Sequence, residues 1–473
     1  MNSAKPGQWA ALAAIVALVL WAVYTQFQYF GSGSFLGGIL LVEVLGGCLW
    51  KFETRFFPFL MVAFVWAGMN VPMQGAWTGG RWLVLAAGTA TGFVIWMRRP
   101  YSHFKTIHLL AVFCIIAAFV SASVSSYVQM ASLKALSLLL LFLYGCSGMR
   151  VAVLGREQRF FEGLAVACEI ATFATALCYF GFGLAIWGNP NSLGAAMSIG
   201  VFPVLLWSWL ISDGPLRKAR RLVSLLLCTY LIYFSLARAG MIAVIAVTVV
   251  FCFCLRQYKL LIKAIGLVLF LIAISGMVAP DSLNKTLSTL GEAILYKGHK
   301  AEGMLGSRKT PWQDSIDSIK EHPLFGTGYG TSPTGEDPGF NFGKFSSSQE
   351  TVREHGSSYM TIAEWVGILG VAPFALLLLL NASNILRVCS WMRRTSNPMH
   401  YSIPLAMVLI AGFVHASFED WMFAVGSYPC VYFWSMAFLL GDLVPATEPS
   451  EVPRLLVPVV RRQTELVATA PQR

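Results

Sequence analysis
The sequence predicts an all-α polytopic integral membrane protein with about 12–14 transmembrane helices and one large, partly helical extracytoplasmic loop. Three observations predict it. Of 473 residues, 56% are hydrophobic and 12% charged, where ordinary soluble domains carry about 45–50% and about 25%. Apolar runs of about 17–25 residues, long enough to cross a hydrocarbon core of about 30 Å as helices, recur almost end to end. Lysines and arginines gather at alternate run ends, as retention of cations on the cytoplasmic side requires.

Spans are predicted near 9–29, 34–50, 56–74, 81–97, 105–125, 131–149, 160–186, 192–212, 222–237, 239–255, 260–279, 357–386, 401–418 and 424–442. The stretch from about Trp9 to Phe30 exceeds a signal-peptide core of about 7–15 residues and reads as an uncleaved first span. With the N-terminus in the cytoplasm, 23 of the 34 Lys and Arg residues fall inside and 11 outside, eight of the latter in the long loop. Both termini are therefore expected in the cytoplasm. The organisation follows as an N-terminal helical bundle (1–279), a large extracytoplasmic loop (280–356), C-terminal transmembrane helices (357–442) and a cytoplasmic tail (443–473).

The formal net charge of +11 would suggest nucleic acid in a soluble protein, but here it is distributed as topology, and no nucleic-acid partner is expected. The ten cysteines lie in apolar runs or, for Cys389, near a helix end, so neither a disulfide framework nor a thiolate metal site is expected. Cys252 and Cys254 read as small apolar residues.

A loop of some seventy-five residues between membrane helices is usually functional or disordered. Thr310-Pro311-Trp312-Gln313 has the form of a capping box with proline in the first helical turn, which predicts a helix starting there and stopped by Pro323 after His322. Trp312, Ile316 and Ile319 would give it an apolar stripe facing the membrane domain. Gly326-Thr327-Gly328-Tyr329-Gly330 follows as a tight turn. No G-x-x-x-x-G-K-[ST] motif occurs, so nucleotide-driven transport by this chain is unsupported.

Ionisable residues at the membrane edge are expensive and mark candidate sites. Arg238 lies at an outward turn between two apolar helices, either snorkelling to headgroups or serving a ligand. The same face holds Asn189 and Asn191, Arg308 and, before the next span, Arg353-Glu354-His355-Gly356. Arginine forks match phosphate oxygens, so paired arginines suit a diphosphate. Histidine can take a proton from a hydroxyl. Together they fit transfer of a group off a diphosphate leaving group. His415, near Glu419 and Asp420, is a second candidate with a helix-packing alternative. Asp314/Asp317 and Glu336/Asp337 are weak carboxylate pairs that read as solvated surface, and no metal or other cofactor is expected.

The Gly188-Asn189-Pro190-Asn191 segment, Leu236-Ala237-Arg238-Ala239-Gly240, Ser307-Arg308-Lys309 with Trp312, His322-Pro323-Leu324-Phe325-Gly326 with Gly328-Tyr329-Gly330, and His355-Gly356-Ser357-Ser358-Tyr359 with Glu364 and Gly367-Ile368-Leu369-Gly370 resemble the O-antigen ligase and polymerase superfamily of bacterial envelope proteins. The resemblance runs in order from Gly188 to Gly370. It implies a metal-independent, inverting glycosyltransferase of the bacterial inner membrane, its active site on the periplasmic face. The partners it implies are an undecaprenyl-diphosphate-linked glycan donor, a glycan or lipid A-core acceptor, and membrane lipids. It implies Arg238 and Arg308 as the diphosphate site and His355 as the base; Arg353, adjacent in sequence to that histidine, is expected to add to the diphosphate site, and Asn189, Asn191, Trp312 and Tyr329 are expected to contact the substrates. Gly356 departs from the asparagine found after this histidine in many members, which leaves open what orients the imidazole.

Ligase activity toward lipid A-core and polymerase activity on a second lipid-linked glycan share these features, with a lean to ligase. A lipid-linked glycan transporter or flippase is the alternative of another class, but transporters usually carry inverted repeats and polar midplane helices, whereas here the ionisable groups collect on one side. A non-catalytic scaffold is the third reading, under which Arg238, Arg308 and His355 could be replaced with effects on stability alone.

Overall fold
The computed structural model describes residues 53–98 apart from 73, 104–259, 306–331 and 355–445, with isolated positions among 17–49 and 261–266. These residues form helices α1 (Phe56–Gly68), α2 (Gln74–Arg98), α3 (Thr106–Ser123), α4 (Val128–Cys146), α5 (Gly148–Val153), α6 (Glu157–Ala176), α7 (Pro190–Ala195), α8 (Phe202–Leu210), α9 (Pro215–Phe234), α10 (Arg238–Cys254), α11 (Gly306–Glu321), α12 (Ser358–Thr395), α13 (Ser402–Ala416) and α14 (Tyr428–Leu443). No strand occurs among the described residues, in line with the predicted all-α membrane class. By length and apolarity six helical stretches can cross a membrane, among them Thr106–Ser123, Val128–Val153, Pro190–Leu210 and Ser358–Thr395, and three shorter helices are also apolar. The predicted spans 9–29, 34–50 and 260–279 lie largely outside the described residues, and the remaining spans coincide with helices.

Connections expected on the same side of the membrane touch one another. At one end, Arg150 is buried and binds Asp442 through both Nε (2.6 Å) and Nη2 (3.1 Å), while Lys105 reaches the same carboxylate at 2.8 Å. Arg220 and Arg221 likewise meet Glu169, each at 3.2 Å. Cations read only as topology signals thus also neutralise buried carboxylates, since a buried charge is retained when paired. At the other end, Asn70 donates to the Ile186 carbonyl, Arg81 to that of Gly426 and Lys134 to that of Gly330.

Small residues set how closely helices approach at that second end. Side chains on Gly194 would run into Ala237, 2.3 Å away, and Gly240 faces the Gly194 carbonyl. The start of α10, which bears Arg238, is thereby seated directly against α7.

The longest helix is not continuous. At Gly367 (φ 61°, ψ −177°) α12 kinks, a conformation open to glycine. The break takes the carbonyls of Glu364 and Trp365 and the amides of Ile368 and Leu369 out of their normal i to i+4 pairing. The Gly-rich turn after α11 fills all four vacancies: Thr327 N donates to Glu364 O (3.0 Å), Gly328 N to Trp365 O (3.2 Å), Ile368 N to Pro323 O (2.9 Å) and Leu369 N to Leu324 O (3.2 Å). A Cβ on Gly326 (φ 74°) would lie 2.3 Å from the Trp365 carbonyl oxygen, so the close approach demands glycine. Gly326 to Gly330 is therefore a plug in a broken helix rather than a free-standing turn.

Helix α11 departs from expectation in two ways. It begins at Gly306, upstream of the capping signal, with Pro311 inside it and its last residue at Glu321. It buries Ser315 and Ser318 and leaves Ile316 39% exposed with Trp312 and Ile319 only partly buried, so the face it turns inward is not centred on the predicted stripe. Tertiary packing against α12 overrides the local signals.

A candidate diphosphate and acid–base site
Five chain segments converge at the end that carries the plug. The turn joining α13 to α14 holds Glu419 and Asp420 and is clasped from several sides. The amide and hydroxyl of Ser358 both donate to the Glu419 carbonyl (3.0 and 2.7 Å), and the Ser358 hydroxyl accepts from Met422 N at 3.0 Å. Tyr329 donates to the Phe423 carbonyl (2.9 Å) and Arg81 to that of Gly426 (2.6 Å). Two carboxylates are thereby fixed in place by long-range contacts.

Glu419 organises the cations. Arg308, on the first turn of α11, donates from Nη2 to Glu419 Oε1 at 2.5 Å, and Asn191 Nδ2 donates to the same oxygen at 3.3 Å. Arg238, the first residue of α10, lies within electrostatic reach of both Arg308 and Glu419. Arg308 and Asn191, which topology placed on one face, thus meet at one anionic oxygen, with Arg238 within electrostatic reach. Their side chains are not sealed, Arg308 being 11% and Glu419 19% exposed.

Asp420 and Glu364 flank His355. The Nδ1 of the imidazole lies 3.4 Å from Asp420 Oδ2, its Nε2 lies 3.3 Å from Glu364 Oε1, and its backbone amide donates to Asp420 Oδ2 at 3.1 Å. The ring stands edge-on to Trp365, centroids 5.8 Å apart. Burial alone would pull the imidazole pKa down, but the hydrogen bonds and charges of Asp420 and Glu364 outweigh it and leave it raised. Conversely burial pushes the Asp420 carboxyl up, and its hydrogen bonds and attraction to His355 win, holding it below the ordinary range.

Gly356 now has a physical account. Its φ of 68° is left-handed, and a Cβ there would lie 3.0 Å from Arg308 Cδ and 3.4 Å from Trp312 Nε1. Trp312 Nε1 donates to the Gly356 carbonyl at 3.3 Å. The glycine lets Arg308 and Trp312 pack beside His355, and the imidazole is oriented by Asp420 and Glu364 instead of by its chain neighbour.

The other expected site residues divide. Asn189 caps α7, its Oδ1 accepting from Asn191 N (2.6 Å) and Ser192 N (3.2 Å). Tyr329 is 1% exposed, packs on Trp365 and donates its hydroxyl to the Phe423 carbonyl, so in this structure it holds the α13–α14 turn. His415 is 1% exposed and accepts from Trp421 Nε1 at 3.0 Å, the helix-packing alternative. Asp314 and Asp317 are exposed, the latter paired with Lys320. Arg353, Glu336 and Asp337 lie outside the described residues. Among the described residues no group of three or more His, Cys, Asp or Glu side chains gathers as a metal site.

Residues 223–375 match the family described as O-antigen ligase. This supports the O-antigen ligase superfamily for the chain, in agreement with the sequence resemblance. A search of curated proteins finds no match. The matched segment contains Arg238, Arg308, His355, Glu364 and the Gly367 kink; Asn191, Glu419 and Asp420 come from outside it, on α7 and the α13–α14 turn. The family points to a membrane enzyme of glycosyltransferase type, working with lipid-linked glycans and acceptors in general terms.

Glu419 and Asp420 are the residues whose role the sequence concealed. Their charge was visible beside His415, but not that they meet residues 111 and 65 positions away. Glu364 appeared only as part of a motif.

Proposed function
We propose that the protein transfers a glycan from an undecaprenyl-diphosphate carrier to an acceptor hydroxyl in the manner of an O-antigen ligase, with lipid A-core as acceptor and inversion at the transferred sugar. The observation that carries this reading is the oxygen of Glu419 lying between Arg308 and Asn191 with Arg238 nearby. A diphosphate presents several such oxygens, and arginine forks bind them in fixed directions.

In this reading the diphosphate of the donor takes the arginines, which stabilise the charge that grows on it as the glycosidic bond to phosphate breaks. The cluster around His355 takes the proton from the attacking hydroxyl. Asn191 and Trp312 line the approach.

The test is a transfer reaction with purified full-length protein, a lipid-linked oligosaccharide and both lipid A-core and a second lipid-linked glycan offered as acceptors. Elongation of lipid A-core is expected, with Arg238→Ala and His355→Ala each reducing it at least about tenfold, the loss of roughly one charge-assisted interaction. Unimpaired transfer by both variants refutes the assignment, and elongation of the lipid-linked glycan alone makes the protein a polymerase.

A further inference from the structure
The three members of the acid–base cluster are not equally placed. The side chains of His355 and Glu364 are 0% exposed, whereas that of Asp420 is 30% exposed. Both ring nitrogens of His355 face carboxylate oxygens, Nε2 toward Glu364 and Nδ1 toward Asp420. An acceptor hydroxyl approaching from outside would therefore meet Asp420 before it could reach the imidazole. The backbone amide of His355 donates to Oδ2 of Asp420, and its Nδ1 faces the same oxygen. Oδ1 is left outside that clasp.

We propose that Asp420 is the catalytic base that touches the acceptor hydroxyl, and that His355 is a positioning residue that holds the Asp420 carboxylate, itself braced from behind by Glu364. This rests on the transferase reading above. In the step, the acceptor oxygen forms its bond to the anomeric carbon and its proton passes to Oδ1 of Asp420. The bond from that carbon to the phosphate oxygen breaks, and the diphosphate leaves with the electron pair onto Arg238 and Arg308. Asp420, held acidic by His355, then gives the proton to water and is ready for another turn.

The arrangement explains why a buried histidine is bracketed by two carboxylates. A neutral imidazole needs one acceptor to fix its tautomer; two carboxylates favour the imidazolium, which donates from both nitrogens and is a poor base. Such an imidazolium is well suited to locking one oxygen of Asp420 while the other works. The charged and titratable groups that act on one another in this cluster among the described residues are His355, Glu364 from α12 and Asp420 from the α13–α14 turn, and these set the pH response together.

Transfer kinetics of the full chain in lipid nanodiscs, recorded across pH for Asp420→Asn, Asp420→Glu and His355→Gln, test the proposal. Binding of undecaprenyl diphosphate and the thermal midpoint are measured in parallel. Asp420→Asn is expected to lower kcat by about 10²–10⁴-fold, the range for a general base, while the undecaprenyl diphosphate Kd stays within about twofold. Asp420→Glu recovers part of that loss, which separates the chemistry from a folding defect. His355→Gln loses less than Asp420→Asn, and the acid limb of its pH profile moves to higher pH because the carboxylate has lost its cationic donor. Three results overturn the assignment: Asp420→Asn turning over within a few fold of the unsubstituted protein, His355→Gln being the more damaging change with no shift in the acid limb, or Asp420→Glu recovering nothing while still binding undecaprenyl diphosphate. Absence of transfer by the unsubstituted protein refutes the transferase reading itself, and Asp420 as its base along with it.

Discussion

Arg308→Ala is the substitution whose effect can be worked furthest. It removes a guanidinium that donates to Glu419 Oε1 at 2.5 Å between side chains 11% and 19% exposed. A hydrogen bond to a charged partner nets about 1.5–3 kcal/mol. If a donor phosphate oxygen takes the same nitrogen, its loss corresponds to about 10–150-fold in affinity, at about 1.4 kcal/mol per decade. The Glu419 carboxylate, no longer offset by Arg308, then lies nearer the diphosphate with more of its own charge exposed to it, which adds to the penalty. Arg308→Lys keeps the charge but not the planar fork and should fall between the two. Folding should suffer little, because Ser358 still clasps the Glu419 backbone. The assay is equilibrium binding of undecaprenyl diphosphate alongside transfer kinetics, with the thermal midpoint as control. A donor Kd unchanged in Arg308→Ala, with transfer lost only in proportion to stability, would refute the reasoning.

Two further outcomes are expected. Gly326→Ala forces a Cβ to 2.3 Å from the Trp365 oxygen at a φ of 74°; displacing the plug forfeits up to four backbone hydrogen bonds, about 2–6 kcal/mol in all, so the thermal midpoint in mild detergent should drop well outside error, and an unchanged midpoint contradicts the plug. The stability of the His355 cluster should also depend on pH. The imidazole pKa is raised from near 6.5, so its contribution is complete below that value and is lost as pH rises through the raised one. The Asp420 pKa is lowered from near 3.8, so its contribution is present above that value and is lost as pH falls through the lowered one. Thermal inactivation should therefore be slowest between those limits, and His355→Gln should flatten the alkaline side; equal pH dependence in the variant would contradict it.

The membrane class was legible because apolar length and charge placement are properties of consecutive residues. The meeting of Arg238, Arg308, Asn191 and His355 was legible for a related reason: topology alone sorts residues to one side. What stayed hidden depends on pairing across the chain. Glu419 and Asp420 lie on a short turn whose significance comes from Ser358, Arg308 and His355, all distant in sequence. The start of α11 was misplaced because Thr310-Pro311 is a good local capping signal, yet the helix extends upstream to Gly306. Tyr329 stood in a motif with glycines, and nothing in that motif distinguishes a phenol facing a ligand from one bonded to the Phe423 carbonyl.

The plug in α12 has a dynamic consequence. The amides of Thr327, Gly328, Ile368 and Leu369 are tied into one set of cross-pairings, so they open together or not at all, as a cooperative unit of local unfolding. In hydrogen exchange they should share a single protection factor even though they come from two separate segments. Glu364 sits in that unit through its own carbonyl and reaches His355 with its side chain. Displacing the Gly-rich turn would therefore loosen the brace behind His355, so the local stability of the turn and the geometry of the His355 cluster rise and fall together.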